Sequence, residues 1–298
     1  MGNHREAQEA FQRAVDISPA VAQGFIQVSL SQSPLSDSNR AEKQLEMEGI
    51  EYIVAPYEAD AQLAFLSSRG IVDVVISEDS DLLPYGCHVV LYKLDHHGAA
   101  QQIRLERLQE CERPLSFAKF TVPMFRQMCI LSGCDYLPSA KGLGIRSAYN
   151  LVLNLRDSAS VLSHIMESRA FDLPAGYEEG FEQAELTFMY QRVWDPLTQQ
   201  IVHLNPLPVH LQISDLDFLG PSIDNGLGYR IAKGLANPHN HQDWKAPMPS
   251  APKRSQPNRD QVGIHFRGTA TTGVFGMPRM LVPKRLDLYT SEWICTEP

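Results

Sequence analysis

A strand, an amphipathic helix and a second strand follow one another from Ile50 to Ser77, and no other stretch constrains the fold as tightly. "IEYIVAP" and "IVDVVIS" are short apolar runs of the kind that lie in a sheet covered on both faces. Between them, "YEADAQLAFLSSRG" carries apolar residues at helical spacing and closes on Gly70. Such a crossover is right-handed and makes its two strands parallel, so both end at the same edge of the sheet. Glu58 and Asp60 follow the first strand; Glu78, Asp79 and Asp81 follow the second. Two acidic groups are therefore expected to face one crevice, where open α/β sheets bind ligands.

Each acidic group alone has an ordinary explanation. Acids in a first helical turn suit the helix dipole, and Asp after a strand commonly forms an Asx-turn or cap. Neither accounts for both groups at one edge. Carboxylates that close repel and stay ionised together only around a cation, and hard oxygen donors select Mg²⁺ or Mn²⁺. A phosphohydrolase using Asp79-x-Asp81 as nucleophile and acid is an alternative, but it wants Thr or Val soon after the second Asp, where this chain has Leu82-Leu83-Pro84.

Downstream, "TVPMFRQMCILSG" predicts a helix capped by Thr121, with Pro123 in its first turn and Gly133 at its exit. "CDYLPSAKGLG" is a tight loop and "IRSAYNLVLNL" a further helix. Helix, glycine loop and helix suggest a helix-hairpin-helix: Lys141, Gly142, Gly144, Ile145 and Arg146 would face a phosphate with backbone N–H groups and two cationic side chains. An ordinary loop and helix start fits the same residues. Further helices are expected over 159–169, 177–192 and 222–236. "DHHG" at 95–98 reads as a hairpin turn, His164 and His203 have no partners at ligand spacing, and Tyr149, Phe188, Tyr190 and Trp194 read as core.

Composition sets outer limits. The 298 residues are 43% hydrophobic and carry a formal charge of -9, enough for a good core and unlike a non-specific nucleic-acid coat. No apolar run is long enough for a membrane span, no secretory leader is evident, and the five cysteines show no metal spacing, which suggests reduced thiols of a soluble intracellular protein.

Four blocks, "APYEADAQLAFL", "ISEDSDLLPYG", "MCILSGCDYLPSAKGLGI" and "FEQAELTFMYQRVWDP", in this order resemble the flap endonuclease/XPG superfamily of structure-specific 5′ nucleases, its exonuclease branch above all. The resemblance spans roughly 5 to 240. It implies an α/β fold: a PIN-like, mostly parallel sheet with flanking helices, then an α-helical helix-hairpin-helix region and a disordered tail. It divides the chain into a remnant of a helical arch (1–28), an inserted loop and short helix (29–49), the C-terminal part of the nuclease core (50–120), the helix-hairpin-helix and following helices (121–240), and the tail (241–298). Glu58, Asp60, Asp79, Asp81 and Asp135 match the family's catalytic metal ligands, and Glu78 does not. Two Mg²⁺ ions are implied, with Mn²⁺ as a substitute and K⁺ at the glycine loop. The implied partners are double-stranded DNA with 5′ ends or flaps and mismatch-repair proteins, in the nucleus, with no membrane.

Family members also carry an N-terminal segment with the first strand, two further catalytic aspartates and most of a basic arch. On that resemblance this chain starts inside the arch. The expectation is a nuclease domain with little or no activity by itself, or a DNA-binding remnant that keeps the helix-hairpin-helix without the chemistry.

Overall fold

A computed structural model describes residues 51–94 and 99–243. The arch, the inserted loop, the "DHHG" turn and nearly all of the tail lie outside the described residues.

Helix α1 (Ala59–Ser68) begins directly after Glu58 and ends at Arg69 and Gly70, the latter at φ 65°. It buries Ala61, Ala64, Phe65 and Leu66. Strand β1 (Val75–Ile76) runs parallel to β2 (Val89–Tyr92), in the register Val75 with Val90 and Ile76 with Leu91. β2 pairs antiparallel with β3 (Gln101–Arg104).

Helix α2 (Val122–Ser132) has the expected punctuation: Thr121 Oγ1 accepts from the Met124 N–H at 3.3 Å, a proline stands in the first turn, and Gly133 closes the end at φ 130°. It packs on α3 (Ile145–Leu155) and α5 (Tyr177–Tyr190), with α4 (Ser158–Glu167) beyond α3. Phe117, Phe120 and Phe125 join this layer to Tyr149, whose ring stacks on Phe120 at 5.0 Å and whose hydroxyl donates to the Ser116 carbonyl. A hairpin of β4 (Arg192–Asp195) and β5 (Gln200–His203) follows, and α6 (Asn225–Ala232) lies over it. Gly228 permits that contact, since a Cβ there would stand 2.8 Å from Ile201 Cδ1.

The α/β class stands. Three details differ from the sequence reading, and each turns on which backbone partner is available. Among the described residues, 51–56 form no named strand: Ile53, Val54 and Ala55 are buried, Tyr52 makes a bridge, and the Val54 N–H donates to the Ala232 carbonyl at the end of α6. The parallel partner of β1 is accordingly β2, and the sheet among the described residues is mixed, with one parallel and one antiparallel pairing. The region read as the end of a helix at 192 instead leaves α5 at Tyr190 and becomes the β4–β5 hairpin. Its turn is an Asx-turn in which the Asp195 carboxylate accepts from the Leu197 N–H and the Thr198 hydroxyl.

Trp194 is core, as expected, but from a strand; Phe188 and Tyr190 are buried in α5. Cys87, Cys111, Cys129 and Cys134 are free thiols. His203 Nδ1 meets the Tyr190 carbonyl at 2.6 Å, a tie between β5 and the end of α5. Among the described residues, no helix is long and apolar enough to cross a membrane.

Candidate active site

Three backbone segments carry the predicted acids. Glu58 is the N-cap of α1 and Asp60 lies in its first turn; the Glu58 side chain makes no capping bond. Asp79 and Asp81 flank Ser80 in a short 3₁₀ turn, Ser80–Leu82, after β1. Asp135 follows α2 in a loop that Cys134 and Leu137 bridge.

Asp79 does the ordinary structural work as well. Its Oδ1 accepts from the Asp81 N–H at 2.9 Å, its own N–H donates to Ser77 Oγ at 3.0 Å, and the Tyr92 hydroxyl donates to its carbonyl at 3.1 Å. These bonds fix the 3₁₀ turn. Glu78 is engaged elsewhere, its Oε1 accepting from the Lys93 N–H at 2.7 Å.

The acids from all three segments act on one another. Burial raises Asp60 well above the usual carboxylate range, and the charges of Asp79, Asp81, Glu58 and Asp135 raise it further. Asp81 is pushed up to about 7, first by burial and then by Asp79, Asp135 and Glu58. Glu58 is raised by burial and Asp135, with His239 opposing. Mutual destabilisation of this kind is relieved by a cation, and carboxylate oxygens are the donors Mg²⁺ and Mn²⁺ prefer. The donor chemistry thus fits a divalent ion. Among the described residues, however, no three His, Cys, Asp or Glu side chains converge closely enough to hold a metal as they stand.

Beneath the acids lies a feature the sequence did not announce. Tyr85 and Tyr136 share a hydrogen bond between their hydroxyls at 2.6 Å, and both rings pack edge-on against Phe188. Both phenols are raised by burial, and the Glu58 and Asp60 charges add to it. Tyr85 stands four residues after Asp81 and Tyr136 directly after Asp135, inside the quoted blocks, but nothing in the sequence says that the two meet. His239, beside Glu58, was also missed.

α3 starts at Ile145 with Gly144 as N-cap, and no side chain caps its first-turn N–H groups; Lys141 and Arg146 are exposed nearby. The Lys141 N–H donates to the Asp172 carbonyl and the Lys141 carbonyl accepts from the Asp172 N–H, both at 3.1 Å. That backbone donor is consumed by the fold, so only the Lys141 side chain remains for a phosphate. Gly142 sits at φ 88°, and a Cβ there would lie 3.1 Å from the Ala170 carbonyl.

Residues 49–135 match the family model described as the XPG I-region. Exonuclease 1 of Oryza sativa subsp. japonica is 40% identical over 290 residues, 97% of this chain and 32% of the relative. Exonuclease 1 of Arabidopsis thaliana is 39% identical over 245 residues, 82% and 31% of the two chains. The chain is thus similar to exonuclease 1 over most of its length, and residues 49–135 match the XPG I-region. It spans about a third of the length of these relatives. Among solved structures, flap endonuclease-1 from Methanococcus jannaschii is similar at a TM-score of 0.42 and 23% identity, over 61% of this chain and 49% of the other. All five acids named above lie within the matched residues 49–135, and the Lys141–Arg146 loop lies just beyond them.

Proposed function

We propose that this chain is the nuclease segment of a structure-specific 5′→3′ DNA exonuclease and flap endonuclease of DNA repair. The observation that carries the reading is the mutual repulsion of Glu58, Asp60, Asp79, Asp81 and Asp135, drawn from three segments of an XPG I-region. Their carboxylates are the residues that would hold two divalent cations, Mg²⁺ or Mn²⁺. When bound, such ions supply an activated water and neutralise charge on the leaving oxygen of a phosphodiester.

The rest of the work belongs to the chain. The uncapped N–H groups at the start of α3, with the Lys141 and Arg146 side chains, grip the backbone of duplex DNA, with K⁺ as a candidate companion at the loop. Phosphate contacts set position and carry no base sequence, so the shape of the substrate, a 5′ end or flap, decides what is cut. Mismatch-repair proteins as partners and the nucleus as the place of action extend the same reading.

A second reading, a DNA-binding segment without chemistry of its own, draws on the failure of three acids to converge as they stand. The test is Mg²⁺- or Mn²⁺-dependent release of nucleotides from labelled DNA with a recessed 5′ end, comparing the chain with Asp79→Ala. Cleavage lost in the variant supports the nuclease. No cleavage by either chain, with duplex binding that falls when Lys141 and Arg146 are replaced, supports the second reading.

A further inference from the structure

We propose that Tyr85 and Tyr136 are positioning residues, whose shared hydroxyl hydrogen bond holds the Asp81 and Asp135 segments in one register. The inference rests on the reading of those aspartates as metal ligands. Its basis is connectivity. Pro84 and Tyr85 are fixed to the Asp81 turn, because the Tyr85 N–H donates to the Asp81 carbonyl at 3.1 Å and the Gly86 N–H to Leu83 at 3.0 Å. On its other side the same turn is held to α2, where the buried Arg126 Nε–H donates to the Pro84 carbonyl at 2.8 Å. Tyr136 is covalently next to Asp135. The 2.6 Å contact therefore spans the two loops, 51 residues apart in sequence, at their shared buried side.

Phe188 makes the tie stiff. It touches Tyr85 at 4.7 Å and Tyr136 at 5.2 Å between ring centres, so neither phenol can swing aside without losing packing. Aspartates on two independent loops gain affinity for an ion only if the loops are held at a fixed separation, and outer groups that orient ligands typically affect metal affinity about 10–100-fold.

The test is Mn²⁺ binding by calorimetry to the full 298-residue chain and to Tyr85→Phe, Tyr136→Phe and the double variant, with thermal melts alongside. Each single change is expected to weaken Mn²⁺ binding about tenfold. The double change should be no weaker than either single one, because both remove the same bond. The double variant also guards against misfolding, since it leaves no lone buried hydroxyl. Mn²⁺ binding equal to wild type in the double variant, or losses that add, overturns the positioning role even if the melting temperatures fall. A wild-type chain that binds no Mn²⁺ overturns the metal reading itself, and this role with it.

Discussion

Gln62 and Trp194 close a reciprocal pair of hydrogen bonds. Gln62 Nε2–H donates to the Trp194 carbonyl and the Trp194 N–H donates to Gln62 Oε1, each at 2.8 Å. Both residues are buried, and the pair fastens α1, which carries Asp60, to strand β4. Gln62→Leu keeps the bulk and strands two buried backbone groups, each costing about 1–3 kcal/mol. The expected loss is about 2–5 kcal/mol, read as a fall in the urea midpoint. A loss below about 1 kcal/mol would show that these bonds are replaced by water.

Asp79 combines a fold role with a proposed chemical one, and the two can be separated. Asp79→Asn retains an oxygen that can accept from the Asp81 N–H, so the 3₁₀ turn and the melting temperature should be kept. The charge is lost, and with it nuclease activity, by at least about 100-fold, the upper end of what an outer partner of a metal costs. Full activity in a folded Asn variant would remove Asp79 from the metal site.

The acid cluster predicts a stability that depends on pH and on metal. Asp81 is held near 7 in the fold against about 3.9 in an unfolded chain. Between those values the folded protein keeps a proton that the unfolded chain has released, so stability falls as pH rises through that window. In EDTA, the wild type should lose stability relative to Asp81→Asn between pH 5 and pH 7.5, a range chosen to lie about the raised value. Mg²⁺ should narrow the difference at the higher pH. Urea unfolding of both proteins measures it, and parallel curves for the two would rule the effect out.

For DNA binding, Lys141→Ala and Arg146→Ala should each reduce the slope of log affinity against log salt by about one. The losses should be alike for any base sequence if, as proposed, these side chains meet phosphates. A change confined to one sequence would argue for contact with bases instead.

Much of this molecule could be read locally. Thr121, Pro123 and Gly133 set the ends of α2 because capping depends on neighbours within a turn, and Gly70 and Gly144 mark helix ends for the same reason. The Asx-turn at Asp195 is equally local, but the helical pattern before it runs on past Tyr190 in sequence and hides the exit from α5. The crossover pattern puts Glu58 and Asp60 near Asp79 and Asp81, and the family resemblance adds Asp135; the charges of these acids do act on Asp60 and Asp81.

What the sequence determined by itself is the set of elements and the chemical types at their ends, since propensity, caps and turns act over a few residues. Tertiary structure alone decided the partners. It gave β1 to β2, sent the Val54 N–H to Ala232, and spent the Lys141 N–H on Asp172. It also brought Tyr85 against Tyr136. Each of these joins groups far apart in the chain, and such pairings depend on which donors and acceptors remain unsatisfied once the core has closed.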